Sequence, residues 1–262
     1  MQDRELTEMH DVEVGHWWYA GKRVLFRRLL GQRLRQPALR ILDVGGGTGA
    51  VAVDLASAAP QAWICTADRS ATAAAFARDR GVRHVVVADA GAIPFDSGCL
   101  DLVIAFDIIE HLDNDAGMLR DVARVLRPGG AVAIHVPAWP SLWSRHDEIL
   151  EHKRRYTRRG LTELLDRAGF QVEYLGWASA SIFLPAMVLR RVRRLLGAES
   201  EQQDEFSLPG PLNRLMLAVY RVESAIAASI GLPFGMSLAA IATPRDQGRS
   251  KTNIEPTRAT GS

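Results

Sequence analysis

The sequence predicts an α/β fold with a doubly wound, mostly parallel sheet of seven strands. Short apolar runs alternate with segments of helical spacing, and such repeated β-α-β units are typical of a parallel sheet with helices on both faces. The predicted strands are residues 39–44, 62–67, 82–88, 100–106, 131–136, 171–177 and 237–242. Because right-handed crossovers bring the loops after the strands to one edge, we expect a ligand site at that edge.

The composition is that of an ordinary globular protein and excludes several classes. Of the 262 residues, 47% are hydrophobic and 24% are charged. The net charge of +2 is too small to indicate a polyanionic partner, so we expect no nucleic-acid substrate. Cys65 and Cys99 give neither a disulfide framework nor a metal-ligand spacing, which fits a reducing cytosol. The first residues are charged and the apolar stretches are short, so we expect a cytoplasmic protein without a secretory signal or a membrane span.

The chain divides by pattern into five segments. These are a helical cap (1–38), an α/β core (39–178), a helical insertion (179–232), the last strand (233–244) and a polar tail expected to be disordered (245–262). Within the cap, residues 5–36 have a helical pattern, and His16 to Tyr19 form a dense aromatic cluster.

A glycine-rich turn, Gly45 to Gly49, joins the first predicted strand to a helix. Glycines there let the backbone approach a ligand closely. The turn also satisfies the dinucleotide fingerprint G-x-G-x-x-A through Gly45, Gly47 and Ala50. Asp68, at the end of the second strand, could bind a ribose hydroxyl in either case. A tight turn without any ligand is the third alternative.

Three features favour a sulfonium amino acid over a dinucleotide. Asp43 lies two residues before the turn, where a carboxylate would repel a pyrophosphate but attract a cationic sulfonium and its amino group. Asp89 and Ala90 end the third strand, where a carboxylate can accept from an adenine amino group. The chain has no Tyr-x-x-x-Lys pair, the proton donor of short-chain dehydrogenases. The two rival functions are an NAD(P)-dependent oxidoreductase and a non-catalytic binding protein that keeps the fold.

Four sequence blocks follow one another in a fixed order within residues 39–137. They are Asp43–Gly49, Asp89–Phe95, Asp101–Leu112 and Leu126–Gly130. In order and spacing they resemble the class I methyltransferases that use S-adenosylmethionine (SAM), in particular the small-molecule group often called type 11 or type 12. The resemblance implies a Rossmann-like core, SAM as the cofactor, and a final antiparallel strand at 237–242 beside the fifth strand.

The resemblance also implies a set of cofactor-binding residues at the strand ends and in the glycine turn. They are Asp43, Gly45, Gly47, Gly49, Asp68, Arg69, Asp89, Ala90 and Asp107. The glycines, Asp43 and Asp107 would lie at the methionine end, Asp68 at the ribose, and the others at the adenine. The aromatic cluster His16 to Tyr19 is similar to an entry helix that folds over the cofactor; ordinary packing of that helix is the alternative.

Methyl transfer to a hydroxyl or amine needs a proton acceptor, and a nearby histidine is the usual base. The candidates are His111, which follows the fourth strand, and His146 and His152 in the loop after the fifth. Tyr156 is a candidate positioning hydroxyl, and for each histidine a packing role is the alternative.

Asp107, Glu110 and His111 also have the spacing of a divalent-ion site in some quinone-pathway O-methyltransferases that resemble this chain. That cluster recurs widely in the broader group, so we predict no metal.

The insertion bears on the acceptor, which we expect to be a small molecule or lipid-linked. A helical wheel of residues 188–196 separates an apolar face from a basic one. The apolar face has Val188, Leu189, Val192, Leu195 and Leu196, and the basic face has Arg190, Arg191, Arg193 and Arg194. Such a helix can lie on an anionic membrane. Peripheral membrane contact through 179–232, a lid, and a homodimer surface are the three alternatives.

Overall fold

The computed structural model describes residues 3–183, 187 and 208–245. Its sheet has seven strands in the order β3-β2-β1-β4-β5-β7-β6. The strands are β1 Arg40–Val44, β2 Trp63–Asp68, β3 His84–Val87, β4 Leu100–Phe106, β5 Leu126–Pro137, β6 Phe170–Ala178 and β7 Ser237–Pro244. The first five are parallel, and β7 pairs antiparallel with both β5 and β6. The predicted fold class is confirmed, including the antiparallel last strand beside the fifth.

Helices cover both faces of this sheet. They are α1 Asp3–Val12, α2 Trp17–Leu29, α3 Ala50–Ala58, α4 Ala71–Asp79, α5 Asp115–Val125, α6 Arg145–Ile149, α7 Arg158–Arg167 and α8 Gly210–Ser229. Single 3-10 turns occur at Arg33–Arg35, Ile109–His111 and Pro140–Leu142. One apolar core contains residues of α5 and α7, and a second contains residues of α2, α3 and α8. Strand β4 is buried along its whole length, as the apolar run of residues 102–106 predicts for a strand covered on both faces.

The helical pattern over residues 5–36 corresponds to two α-helices and a 3-10 turn. The chain breaks between α1 and α2, where Gly15 disfavours a helix and His16 adopts an extended backbone as the N-cap of α2. The His16 ring nitrogen accepts from the backbone N–H of Trp18 at 3.4 Å, which satisfies one of the amides exposed at the start of the helix.

Strand β5 begins five residues before the predicted start at 131. Leu126 already pairs with Leu100, and the register shifts before Leu102 pairs with Ala131. The extra residues, Arg127 to Gly130, form a bulge at the edge of the strand pair, where the missing N–H of Pro128 costs no ladder hydrogen bond.

Helices α2 and α8 pack on each other. Trp17 and Trp18 each lie 6.4 Å from the ring of Tyr220 in α8, and the Trp17 amide donates to Asn213 Oδ1 at 2.9 Å. A Cβ on Gly21 of α2 would lie 2.5 Å from the Tyr220 ring, so this crossing requires a glycine. The arginine-rich residues 188–196 and the tail after Arg245 lie outside the described residues, so their predicted roles stay predictions. Among the described helices, none has the length and apolar content needed to cross a bilayer.

Candidate active site

The glycine turn follows β1 directly and is held against β2. The amides of Gly45 and Gly46 donate to the carbonyl of Ala67 at 2.8 and 3.2 Å. Gly45 has φ +67°, and a Cβ there would lie 2.7 Å from the side chain of Ile108. A Cβ on Gly46 would lie 2.5 Å from Asp43 Oδ2. Side chains at these two positions would clash with Ile108 and Asp43, so the turn packs this closely against its neighbours only with glycine there.

Asp43 is a buried carboxylate at the base of this turn. Its residue is 2% exposed, and Oδ2 has no hydrogen-bond partner among the described residues. The pKa of Asp43 is raised to about 7, mainly by burial and secondly by the nearby negative charge of Asp68. A buried carboxylate without a partner is costly, and a cation bound beside it removes that cost.

The other predicted cofactor residues lie at neighbouring strand ends. Asp68 ends β2, and its Oδ2 accepts from the Gly47 amide at 3.0 Å, so it ties β2 to the glycine turn. Arg69 is exposed. Asp89, just beyond β3, is also exposed and accepts from the amide of Gly91 at 2.6 Å, while Ala90 packs against the core. Asp43 and Asp68 are thus on adjacent strands, and Asp89 lies farther out along the edge.

Asp107 is the centre of a charge network that the sequence did not reveal. Its backbone is left-handed, with φ +50°, and its carboxylate pairs with the ammonium of Lys22 and with His135 Nδ1, the latter at 2.6 Å. Burial opposes ionisation of this carboxyl, but the charges and hydrogen bonds of His135 and Lys22 hold its pKa well below the usual range. Lys22 comes from the buried face of α2, so this helix reaches the edge of the sheet.

Helix α1 lies over the glycine turn. A Cβ on Gly47 would meet the terminal methyl of Met9 at 3.2 Å. Two contacts hold helix α1 to α4 and to Arg80, the residue after α4. The His10 ring stacks on Phe76 with centroids 4.5 Å apart, and Arg80 pairs with Glu13 at 2.8 Å. Both N-terminal helices therefore cover the strand-end edge.

Glu110, His111 and His152 form a second cluster next to Asp107. Glu110 is completely buried, and neither of its carboxylate oxygens has a hydrogen-bond partner among the described residues. The rings of His111 and His152 lie 4.8 Å apart at 79°. Burial, and then His152, lowers the pKa of His111 to about 4, so this imidazole is neutral at pH 7.

Asp147, in α6, orients the loop that carries His152. Its Oδ1 contacts His152 Nδ1 at 2.9 Å and accepts from Arg155 Nε at 2.6 Å, and its Oδ2 accepts from the Ser144 amide at 2.8 Å. Burial opposes ionisation, but these hydrogen bonds hold the pKa of Asp147 well below its usual range. The carboxylate is thus charged and fixes one nitrogen of His152.

The two remaining predicted residues lie beside this cluster. The Tyr156 hydroxyl is buried and donates to Asp115 Oδ2 at 2.9 Å, within reach of the carbonyl of Ile109 at 3.2 Å. Burial raises the pKa of Tyr156 far above its ordinary value. His146 is half-buried in α6, next to Asp147. Tyr156 therefore supports the Ile109–His111 turn through a hydroxyl that is already engaged.

Comparisons with known proteins bear on the domain that carries these residues. Residues 42–134 match the family model described as "Methyltransferase domain". A solved chain from the Haloferax volcanii complex that contains the Trm112 methyltransferase activator superposes with a TM-score of 0.61, at 18% identity over 94% of this chain and 95% of that one. Residues 42–134 thus match a methyltransferase domain, and the surrounding fold is that of the class I methyltransferases.

Two curated relatives extend the match beyond the fold. A Mycobacterium tuberculosis protein named "Probable S-adenosylmethionine-dependent methyltransferase" is 31% identical over 61% of this chain and 58% of its own length. The demethylmenaquinone methyltransferase of Mycolicibacterium gilvum is 39% identical over 44% of this chain and 49% of its own length. The chain thus spans about half to three fifths of these relatives.

Proposed function

We propose that this protein transfers a methyl group from SAM to a small-molecule or lipid-linked acceptor. The observation that carries the proposal is Asp43: a buried carboxylate oxygen without a partner beside a turn that only glycines can form. The Asp43 carboxylate attracts the positively charged groups of a sulfonium amino acid, and it repels the diphosphate of a nicotinamide nucleotide.

The chain's own charges suit the rest of such a cofactor. Asp43 would face the amino group, and Asp107, held by Lys22 and His135, would lie near the methionine end. Gly45, Gly47 and Gly49 would line the methionine part. Asp68 would accept from the ribose hydroxyls, with Arg69, Asp89 and Ala90 at the adenine. We also propose that residues 1–38 serve as the cap of this site.

SAM supplies a methyl group on a positively charged sulfur, which a nucleophile displaces in line. The protein then works mainly by holding the two reactants in position, which can contribute as much as about 7–11 kcal/mol. The acceptor would meet the chain at Glu110, His111 and His152, because Ile108 packs the same turn against Gly45. Tyr156 and His146 would support that turn and its facing loop.

Aromatic rings at the same edge of the sheet suit an apolar acceptor. Trp139 follows β5 and stacks on Trp177, near the end of β6, with centroids 4.7 Å apart and planes at 6°. Phe183 lies 6.0 Å from Trp139 and 5.3 Å from Phe234. The relative named for demethylmenaquinone gives a precedent for a ring-bearing acceptor.

The exposed face of α8 supports peripheral contact with an anionic membrane. Its apolar residues follow at intervals of three and four, and include Leu215 (58% exposed) and Val222 (62% exposed). Arg214 and Arg221 are exposed beside them, while the only acidic residue of α8, Glu223, is buried. An apolar stripe edged by arginines matches a negatively charged lipid surface.

Calorimetric titration with SAM, its demethylated product and NADPH tests the assignment. We expect binding of the first two and none of the third; binding of NADPH alone would overturn the proposal. Sedimentation with vesicles containing anionic lipid tests the membrane contact. L215Q/V222Q should lose vesicle binding relative to the matched variant A218Q/A228Q, and a concentration-dependent dimer without vesicle binding would assign the stripe to a second copy.

A further inference from the structure

The cluster of Glu110, His111 and His152 has the composition of a metal site. One ligand atom from each residue lies within 4.8 Å of the other two. Two imidazoles and one carboxylate form a common protein ligand set for divalent first-row transition ions, with further positions open to water or a substrate. We propose that these three side chains bind such an ion beside the glycine turn.

Glu110 is the strongest single indication. Its side chain is completely buried, yet both carboxylate oxygens lack a hydrogen-bond partner among the described residues. A buried polar group of this kind costs free energy unless something completes it. Each imidazole offers one ligand atom within 4.8 Å of this carboxylate, so a cation bound between all three satisfies it.

Both histidines are held as metal ligands usually are. A ligating imidazole typically donates its other N–H to a carboxylate or a backbone carbonyl. His152 Nδ1 contacts Asp147 Oδ1 at 2.9 Å, and His111 is hydrogen-bonded to the backbone of Glu151. Each ring therefore has one nitrogen fixed from outside, and the other is left for the cluster.

The loop that supplies His152 is fixed to the turn that supplies Glu110. The amide of Lys153 donates to the carbonyl of Glu110 at 2.8 Å, and the amide of His152 donates to the carbonyl of Asp147 at 2.8 Å. Glu151, directly before His152, adopts φ +57°, a costly backbone conformation for a residue with a side chain. The fold thus maintains a strained turn that places His152 opposite Glu110.

The ligand set differs from the one that the sequence spacing suggests. Asp107 is not available, because Lys22 and His135 already engage both of its carboxylate oxygens. His152, 41 residues beyond His111 in the chain, takes its place. The ion would hold an oxygen of the acceptor, and that role rests on the proposed function; binding of the ion does not.

Titration of the untagged, metal-free protein with Co²⁺ tests the site, since Co²⁺ in a mixed nitrogen and oxygen site absorbs visible light. We expect saturation at one ion per chain. Glu110→Gln, His111→Ala and His152→Ala should each weaken binding by about 100-fold or more. The matched control His84→Ala removes an exposed histidine on β3, stacked on Trp63, and should bind Co²⁺ as the parent does.

Two outcomes would overturn the inference. One is the absence of stoichiometric Co²⁺ binding by the parent protein at millimolar metal. The other is binding that survives in Glu110→Gln and in either histidine variant, with circular dichroism showing the native fold. Calorimetry of the same variants with SAM separates this result from the proposed function, because loss of the ion site should leave SAM affinity within a few-fold.

Discussion

Replacing Asp43 by Asn removes a charge that the folded protein buries at a cost. The pKa of Asp43 is about 7 in the folded chain, against about 3.9 for an exposed aspartate. Three pKa units correspond to about 4 kcal/mol of unfolding free energy above pH 7, at 1.36 kcal/mol for each unit. Asparagine has nearly the same shape and cannot ionise, so Asp43→Asn should stabilise the cofactor-free protein.

The sign and the pH window follow from the raised pKa. Below about pH 4 the carboxyl is protonated in both states, and Asp43 carries no penalty. As the pH rises from 4 to 7, the carboxyl ionises in the unfolded state but not in the folded state, so the free energy of unfolding decreases. The penalty at pH 5 is about 1.5 kcal/mol and at pH 8 about 4 kcal/mol, so the advantage of Asp43→Asn should grow by about 2.5 kcal/mol.

Urea unfolding of the parent and Asp43→Asn at pH 5 and pH 8, both without cofactor, measures this difference. Asp68→Asn is the matched comparison: it removes the second cause of the raised pKa and should move the pH dependence to lower pH. An Asp43→Asn effect of equal size at both pH values would refute the buried, partnerless carboxylate. Asp43→Asn should also lose SAM affinity. The parent protein should bind SAM up to tenfold more weakly for each pH unit below 7, because a proton on Asp43 competes with the positively charged group of the cofactor.

Three further substitutions test the surroundings of the site. Gly46→Ala places a methyl group 2.5 Å from Asp43 Oδ2 and should abolish SAM binding by calorimetry, whereas Gly15→Ala, with nothing within 4 Å, should keep it. Lys22→Met leaves Asp107 with His135 alone. We expect a loss of about 2 kcal/mol in urea unfolding, the range of a hydrogen bond to a charged group, and weaker SAM binding, with Lys22→Arg restoring part of both. Tyr220→Phe removes the 2.7 Å hydrogen bond to Ser179 but keeps the ring against Trp17 and Trp18, so it should lower the free energy of unfolding by about 1 kcal/mol. Tyr220→Ala also removes the ring and should lower it by about 3 kcal/mol or more. Equal losses for the two variants would contradict the packing described between α2 and α8.

The location of the site was predictable because local patterns carry it. Short, mostly apolar runs such as Leu100–Phe106 predict buried strands, and parallel strands place their following loops at one edge. Asp43, the glycine turn, Asp68 and Asp107 each directly follow or end such a run. Their common position therefore follows from strand direction, without any knowledge of packing.

The partners within the site were not predictable from the same patterns. Lys22 and Asp107 are 85 residues apart, and the contact between them depends on how α2 crosses the sheet. His152 meets Glu110 through a loop whose shape Asp147 and a left-handed Glu151 determine. The break at His16, and the crossing of α2 by Tyr220, likewise depend on which distant surface each helix covers.

The sequence by itself determined the α/β sheet, the parallel direction of most of its strands and the edge that carries the glycine turn. It did so because apolar periodicity and turn residues act over a few positions. Tertiary structure alone decided which charges are buried, which are paired, and which histidines share a cluster with Glu110. Burial and pairing are sums over contacts between residues far apart in the chain, and no short pattern records them.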